Sequence, residues 1–384
     1  MRTQISRIWL PFALFLVLAT FTALTVAPYG NNLTALFHMD TLLADQHPMP
    51  KGFVILDIPS YDGAQYWQIA RNIPKIFSPA LWSDLAAASP GPYAYQRILL
   101  PAFAFMLAMG QDALLPYAFL LIQFFCLLGT YALIVRRFPQ AKLYACALAL
   151  SPAALIALHF SLAEPLTILL LTAFLLRTQD RARLTAFDIL LLCLLVLTRE
   201  VNILFVALFF LYCLFKRRWH DGALLLIPAG VFLGWHAVIY GIFHAIPFLW
   251  STEKNAWPFQ AILELLLGKY GYNHYTFSSI ALALFFVLPA ILWTAVYIFR
   301  KRDTSFLPIA TLAFLGLMTL MPNHIWGSIT SIGRVITPVY PLFLLTVLQR
   351  DSRITRMVAL AILLLGCAAG LGLAFSFHPF HVTL

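Results

Sequence analysis

The sequence predicts an all-α polytopic membrane protein, and three observations carry that prediction. Of 384 residues, 62% are hydrophobic and only 10% charged, so several bilayer-crossing stretches are expected rather than one soluble core. Apolar runs recur along the whole chain, near 8–28, 113–135, 142–160, 162–176, 186–198, 201–215, 222–243, 277–299, 305–321, 335–349 and 357–377, about eleven candidate spans. The basic residues fall between these runs in small clusters, the pattern of membrane topology rather than of a nucleic-acid-binding face, so the net charge of +10 implies no nucleic-acid partner.

The first run follows Arg2 and Arg7 as a signal peptide would, but its length of about 21 residues suits a retained span. The stretch 97–110, RILLPAFAFMLAMG, contains a proline and is too short to cross, so it reads as an interfacial or re-entrant segment on the outer surface. Residues 186–215 read as two short helices. One helix there would be about 45 Å long against a hydrocarbon core of about 30 Å, and would bury Arg199 and Glu200 at mid-depth. With these two choices, 17 of the 25 Lys and Arg lie on the inner side, five successive inner loops carrying three each. The orientation rule then puts the N-terminus in the cytoplasm and the C-terminus outside. Cys126, Cys146, Cys193, Cys213 and Cys367 all sit inside apolar runs and read as small core hydrophobes.

The whole chain, 1–384, is expected to form a single transmembrane domain. Its polar content gathers on the outer side, in a large loop at 30–97 with interfacial helices, a second loop at 244–276 and a third at 322–334. The first loop carries YDGAQYWQIA. There Asp62 has two readings that can coexist: the N-cap of a capping box with Gln65, or a rigid, ionised base able to take a proton from a hydroxyl. Asp57 is a second acid in the same loop, otherwise a solvated loop residue. Glu164, ahead of Pro165, falls at an outer turn with His159 close before it. Arg199 and Glu200, in LTREVN, are either a structural ion pair or, for Arg199, a phosphate grip. Arg97 in YAYQRILLP and Arg334 in SIGRVITP are outward cations that either snorkel or bind an anion. Lys254, Lys269 and His324 are weaker candidates of the same sort. The histidines His38, His47, His244, His274 and His324 are dispersed, and the HPFH pair His378 and His381 lacks nearby acids, so no metal site is predicted. There is no phosphate-loop glycine pattern, which argues against ATP-driven transport.

A first span followed by a large outer loop with YDGAQYWQIA, then YQRILLP and a chain of short-looped spans, resembles the GT-C class of integral-membrane glycosyltransferases. More narrowly it is similar to bacterial cell-surface glycopolymer-formation proteins with a YDGxxYxxIA loop, and distantly to the GPI mannosyltransferases. LTREVN resembles an outer-face basic motif of such enzymes. The sequence has Ala64 and Gln65 where the bacterial group has Gln and then an aromatic. The resemblance implies transfer of a sugar from a polyprenyl-phosphate donor to a glycan, lipid or protein acceptor, on the non-cytoplasmic face of a bacterial plasma (inner) membrane. On that reading Asp62 is the general base of an inverting reaction. Arg199 and Arg334, with Arg97 in reserve, meet the donor phosphate. Asp57, Tyr66, Trp67, Glu164, Glu200 and His324 are candidates for the acceptor or sugar, and Tyr61, Tyr93 and Tyr95 either stack on sugars or anchor the loop in the interface. No obligatory cofactor is implied, and a divalent cation has no support in the residues. The alternatives are a lipid-linked saccharide transporter or flippase, or an O-antigen ligase or polymerase-like transferase. The one-sided clustering of polar groups favours transfer over transport.

Overall fold

A computed structural model describes residues 2–46, 49–57, 59–87, 90–179, 181–247, 257–269, 271, 274–349, 357, 360–361 and 364. Lys254, His378, His381 and Cys367, and most of the predicted last span at 357–377, lie outside these residues. Every other apolar run is helical. The helices used below are α1 (Arg2–Val26), α2 (Asp62–Ile76), α3 (Leu99–Leu107), α4 (Leu115–Arg137), α5 (Lys142–Ala149), α6 (Pro152–Phe160), α7 (Glu164–Thr178), α8 (Ala186–Thr198), α9 (Asn202–Phe215), α10 (Leu226–Phe243), α11 (Thr276–Lys301), α12 (Phe306–Thr319), α13 (Ile329–Val335) and α14 (Val339–Leu348).

Among the described residues four segments, those of α1, α4, α10 and α11, are long and apolar enough to cross a membrane alone. The number rises to six if the pairs α5 with α6 and α13 with α14 each count as one bent span. The bends, 40° and 51°, have covalent causes: Pro152 opens α6, and Pro338 precedes α14. In α11 a π-helical turn over Ala283–Val287 precedes Pro289, where the ring removes a backbone donor. The expected break in 186–215 is present, between α8 and α9.

The outward faces are apolar too. Tyr117, Leu121 and Phe125 form an exposed stripe at i, i+4, i+8 on α4, and Leu292, Val296 and Phe299 form one at i, i+4, i+7 on α11. Such surfaces are stable against hydrocarbon and costly against water. Inside the bundle, α7 packs against α4 and α8, and every residue of α6 and α14 is buried.

The segment between α1 and α2 is folded tightly. Asn32 accepts from Thr34 N (3.0 Å) and donates to Gly52 O (2.6 Å), and Thr34 Oγ1 accepts from Val54 N (2.9 Å). Two-residue strands β1 (Met39–Asp40) and β2 (Ile55–Leu56) pair in parallel, Met39 beside Ile55. Asp40 accepts from Ser60 N (2.9 Å), and Tyr61 N donates to His38 O (3.3 Å), which fixes where α2 begins. The aromatics expected to face sugars or the interface mostly point inward. Trp67 packs on Phe37 and Phe53 (ring centroids 5.1 and 4.8 Å), and Tyr66 and Tyr95 are also buried. Gln68 and Asn72 of α2 are buried as well, whereas Arg71 stays part-exposed and pairs with Asp112 (2.9 Å).

Gly63 is where α2 meets α6. A Cβ there would collide with the Phe160 carbonyl oxygen, so the absence of a side chain sets how closely the two helices approach. Gly63→Ala is expected to lower stability by about 1–3 kcal/mol through overpacking. A thermal melt in detergent that matches the wild type would show that the contact relaxes without cost.

Candidate active site

Six charged side chains from five separate parts of the chain meet at one end of the bundle. Asp62 opens α2, Arg97 precedes α3, Glu164 opens α7, Arg199 and Glu200 fill the break between α8 and α9, and Arg334 lies in the last turn of α13. They form an alternating series. Glu200 takes two bonds from Arg97 (Nε to Oε2 and Nη2 to Oε1, both 2.9 Å). Arg97 Nη1 also donates to Asp62 Oδ2, and the same oxygen accepts from Arg334 Nη2 (2.7 Å). Arg334 Nε donates to Glu164 Oε1 (2.7 Å), which also takes Arg199 Nη1 (2.9 Å). Arg199 Nη1 closes the series on the Arg334 carbonyl (2.9 Å). Three acids and three cations alternate, so the group is neutral overall, which permits its burial.

The surroundings hold this arrangement in place. Tyr93 accepts from Arg97 Nη2 (2.7 Å) and also lies under its guanidinium, and the Tyr61 ring lies under Arg334 (5.1 Å). Gln96 meets His236 Nε2 (3.2 Å), and Trp235 Nε1 donates to Tyr95 O (2.8 Å), which ties YAYQR to α10. Thr198 and Thr167 share a hydrogen bond (2.9 Å), and Asn202 donates to Leu195 O (3.0 Å), which fixes the α8–α9 break. Asp62 and Glu164 stand in first turns of helices, where the dipole favours an anion.

Several sequence expectations change here. Asp62 is not a cap: Tyr61 occupies that position with no side-chain cap bond, Asp62 is the first helical residue, and its carboxylate is drawn to two arginines instead. Arg97 and Arg334 do not snorkel, being 4% and 5% exposed. Arg199 and Glu200 are not paired with each other. Adjacent in sequence, they turn to Glu164 and Arg97 respectively. Glu164 is fully buried, and its place is that of a counter-charge. Tyr66 is buried beside the cluster, and Trp67 belongs to the aromatic core. Asp57 is exposed, outside the bonded series, and His324 is exposed on the short helix Asn323–Trp326. Lys269 pairs with Glu264 (2.8 Å). Trp235 and His236 were not anticipated, although polar ring nitrogens inside an apolar span are an available signal.

The electrostatics follow the pairing. Burial alone would raise the Asp62 carboxyl, but Arg334 and Arg97 outweigh it and hold it well below the usual range. For Glu200 burial is likewise overcome, by Arg97, and the group sits at about 2. Among the described residues no group of three or more His, Cys, Asp and Glu is arranged to hold a metal ion.

An apolar groove of about 700 Å³ lies between α3, α4 and α7, lined by Phe103, Met106, Leu121, Phe125, Leu166 and Leu170 among others and by none of the six charged residues. Leu166 is two residues from Glu164, and α3 follows directly on Arg97. At the far end of α7, roughly 20 Å away at 1.5 Å per residue, Arg177 pairs with Asp188 (2.8 Å). The ionic cluster and this basic end are therefore at opposite ends of the helix.

This is the fold of the GT-C class of integral-membrane glycosyltransferases. Among solved structures, the chain is similar to ArnT from Cupriavidus metallidurans in the apo state, with a TM-score of 0.50 and 15% identity. The match covers 89% of this chain, which spans 60% of that one. No family model and no curated protein matches the sequence.

Two outcomes test the cluster. Glu164→Gln leaves Arg199 and Arg334 short of a buried counter-charge and is expected to cost about 3–5 kcal/mol. A melting temperature within a degree of the wild type would contradict that. The depressed Glu200 carboxyl contributes stability that is complete above its ordinary value near 4.5 and is lost as pH falls toward 2. Wild-type thermal stability should decline over that window, and Glu200→Gln, lower at neutral pH, should decline less. Parallel profiles would show that Glu200 carries no such linkage.

Proposed function

We propose that the chain is a GT-C glycosyltransferase that moves a sugar from a polyprenyl-phosphate donor to a cell-envelope glycan, lipid or protein acceptor, with inversion. The observation that carries this reading is the placement of one acid, Asp62, between two buried arginines, with α3 and α7, which begin at this cluster, also lining an apolar groove. A donor of this class has an anionic head and a long apolar tail, and the cluster and the groove match those two halves.

In the reaction, the acceptor hydroxyl gives its proton to Asp62 as its oxygen attacks the anomeric carbon from the face opposite the phosphate. The bond from that carbon to the phosphate oxygen breaks, and its electron pair leaves with the prenyl phosphate. The charge that develops there falls near Arg97 and Arg334. Arg199 acts through Glu164 and the Arg334 carbonyl, as a positioning residue. The resemblance to GT-C enzymes and the basic loops at the far end of α7 support a bacterial plasma (inner) membrane location, with the N-terminus in the cytoplasm and this site on the non-cytoplasmic side.

The test is an assay of purified protein with radiolabelled polyprenyl-phosphate sugars and extracted envelope glycans. Wild type is expected to transfer label, and Asp62→Asn to fall by at least about 10²-fold, the usual scale of general-base loss, while eluting as folded protein. Normal turnover by that variant would remove Asp62 from the chemistry.

A further inference from the structure

The proposed base is held in a state that makes it a poor base. A carboxylate bound by two guanidinium groups has little affinity for a third proton donor, and here burial is overcome by Arg334 and Arg97, which keep Asp62 ionised far below neutral pH. The bonding pattern contains a way out. Each arginine has one side fixed to a glutamate: Arg97 through Nε and Nη2 to Glu200, and Arg334 through Nε to Glu164. Each has a different nitrogen on Asp62, Nη1 for Arg97 and Nη2 for Arg334, and both meet one oxygen, Oδ2. The glutamate bonds fix where the guanidinium groups lie, and Asp62 fills the fork between them.

The three acids differ in how they are held. Glu164 has no exposure and serves two arginines, and Glu200 is held by two parallel bonds. Asp62 differs from Glu164 in that its side chain retains 20% exposure, and from Glu200, which retains 19%, in that it is held through a single oxygen. A phosphoryl oxygen is also an anionic acceptor and can bridge two guanidinium groups in the same way.

We infer that the fork of Arg97 and Arg334 is the donor-phosphate subsite, that Asp62 occupies it as a stand-in anion in the free protein, and that the phosphate of a polyprenyl-phosphate donor displaces Asp62 and so frees it to act as base. This rests on the proposed transferase reading and adds an order of events to it. Donor binding moves the two cations from the carboxylate to the phosphate. Asp62 then loses its two strongest partners, and its affinity for a proton rises where the acceptor hydroxyl arrives. Without donor the base is masked. No bond is made or broken in the exchange: one anion replaces another, and the proton and electron pair move only in the transfer step already described.

The exchange predicts an unusual result for a site residue, that removing its charge improves binding. Full-length protein in a sugar-free detergent is titrated with farnesyl methyl phosphate, a phosphodiester with no proton of its own to exchange at mild pH. Asp62→Asn is expected to bind this probe about tenfold more tightly than wild type, while farnesol binds both equally. Unchanged or weaker binding of the phosphodiester by the variant overturns the exchange. A second measurement uses wild type alone: at pH 4.5, binding of the same probe should take up protons as Asp62 leaves the fork, seen as a heat that depends on the ionisation enthalpy of the buffer. A heat independent of buffer also overturns it. The two ideas fail separately. An Asp62→Asn protein that is inactive but binds no better keeps the base and loses the exchange, whereas one that turns over normally removes the base itself.

Discussion

The structure near the site depends on Arg334. Its guanidinium reaches Asp62 and Glu164, and its own carbonyl accepts from Arg199, so one residue of α13 ties together the starts of α2 and α7 and the end of α8. These partners are 272, 170 and 135 residues away in sequence. Contacts of that separation form only when the helices have already assembled, and once formed they exclude other helix registers because a buried charge has few acceptable partners. Arg97 does the same on the other side of Asp62, joining the start of α2 to the α8–α9 break.

Neutrality through alternation explains how so many charges tolerate low exposure. Each acid except Glu200 touches two cations, and each cation except Arg199 touches two acids, so Coulomb attraction runs along the series while the net charge is zero. Aromatic rings under Arg97 and Arg334 replace water on the faces of the guanidinium planes. The cost is borne by local backbone geometry. The helices α8 and α9 are short and broken at Arg199 to Val201; Arg199 is extended at the end of α8, and its side chain and that of Glu200 turn to Glu164 and Arg97. Thr167, Thr198 and Asn202 take up backbone and hydroxyl groups that the break leaves exposed.

The helical class, the break after Thr198 and the choice of the six charged residues that prove to meet were legible in the sequence, because apolar runs of bilayer length and rare charges at their edges are local signals. Which charge meets which was not legible. Arg199 and Glu200 are neighbours that ignore one another, and Asp62 leads a helix with capping-box spacing yet turns its carboxylate to arginines 35 and 272 residues away. A strong long-range ionic partner outcompetes a local backbone donor. The same tertiary effect moved Tyr66 and Trp67: aromatics in a polar loop read as interfacial until the loop is seen folded over Phe37 and Phe53, which turns those rings into core.

Gly63 shows how backbone, packing and charge meet at one point. It lets α2 approach the Phe160 carbonyl, and Phe160 in turn packs against the Tyr61 ring (4.4 Å) that lies under Arg334. The close approach of two helices therefore sets the height of Asp62 above the arginine fork, through a single missing methyl group. Asp62 and Gly63 are adjacent, so any displacement at one is passed to the other without a flexible link. The DG dipeptide of YDGAQYW thus combines two requirements: an acid that must reach two cations, and a neighbour small enough to let it get there. A larger residue at position 63 would have to shift α2 or α6, and Arg97 and Arg334, each anchored to a glutamate, cannot both follow.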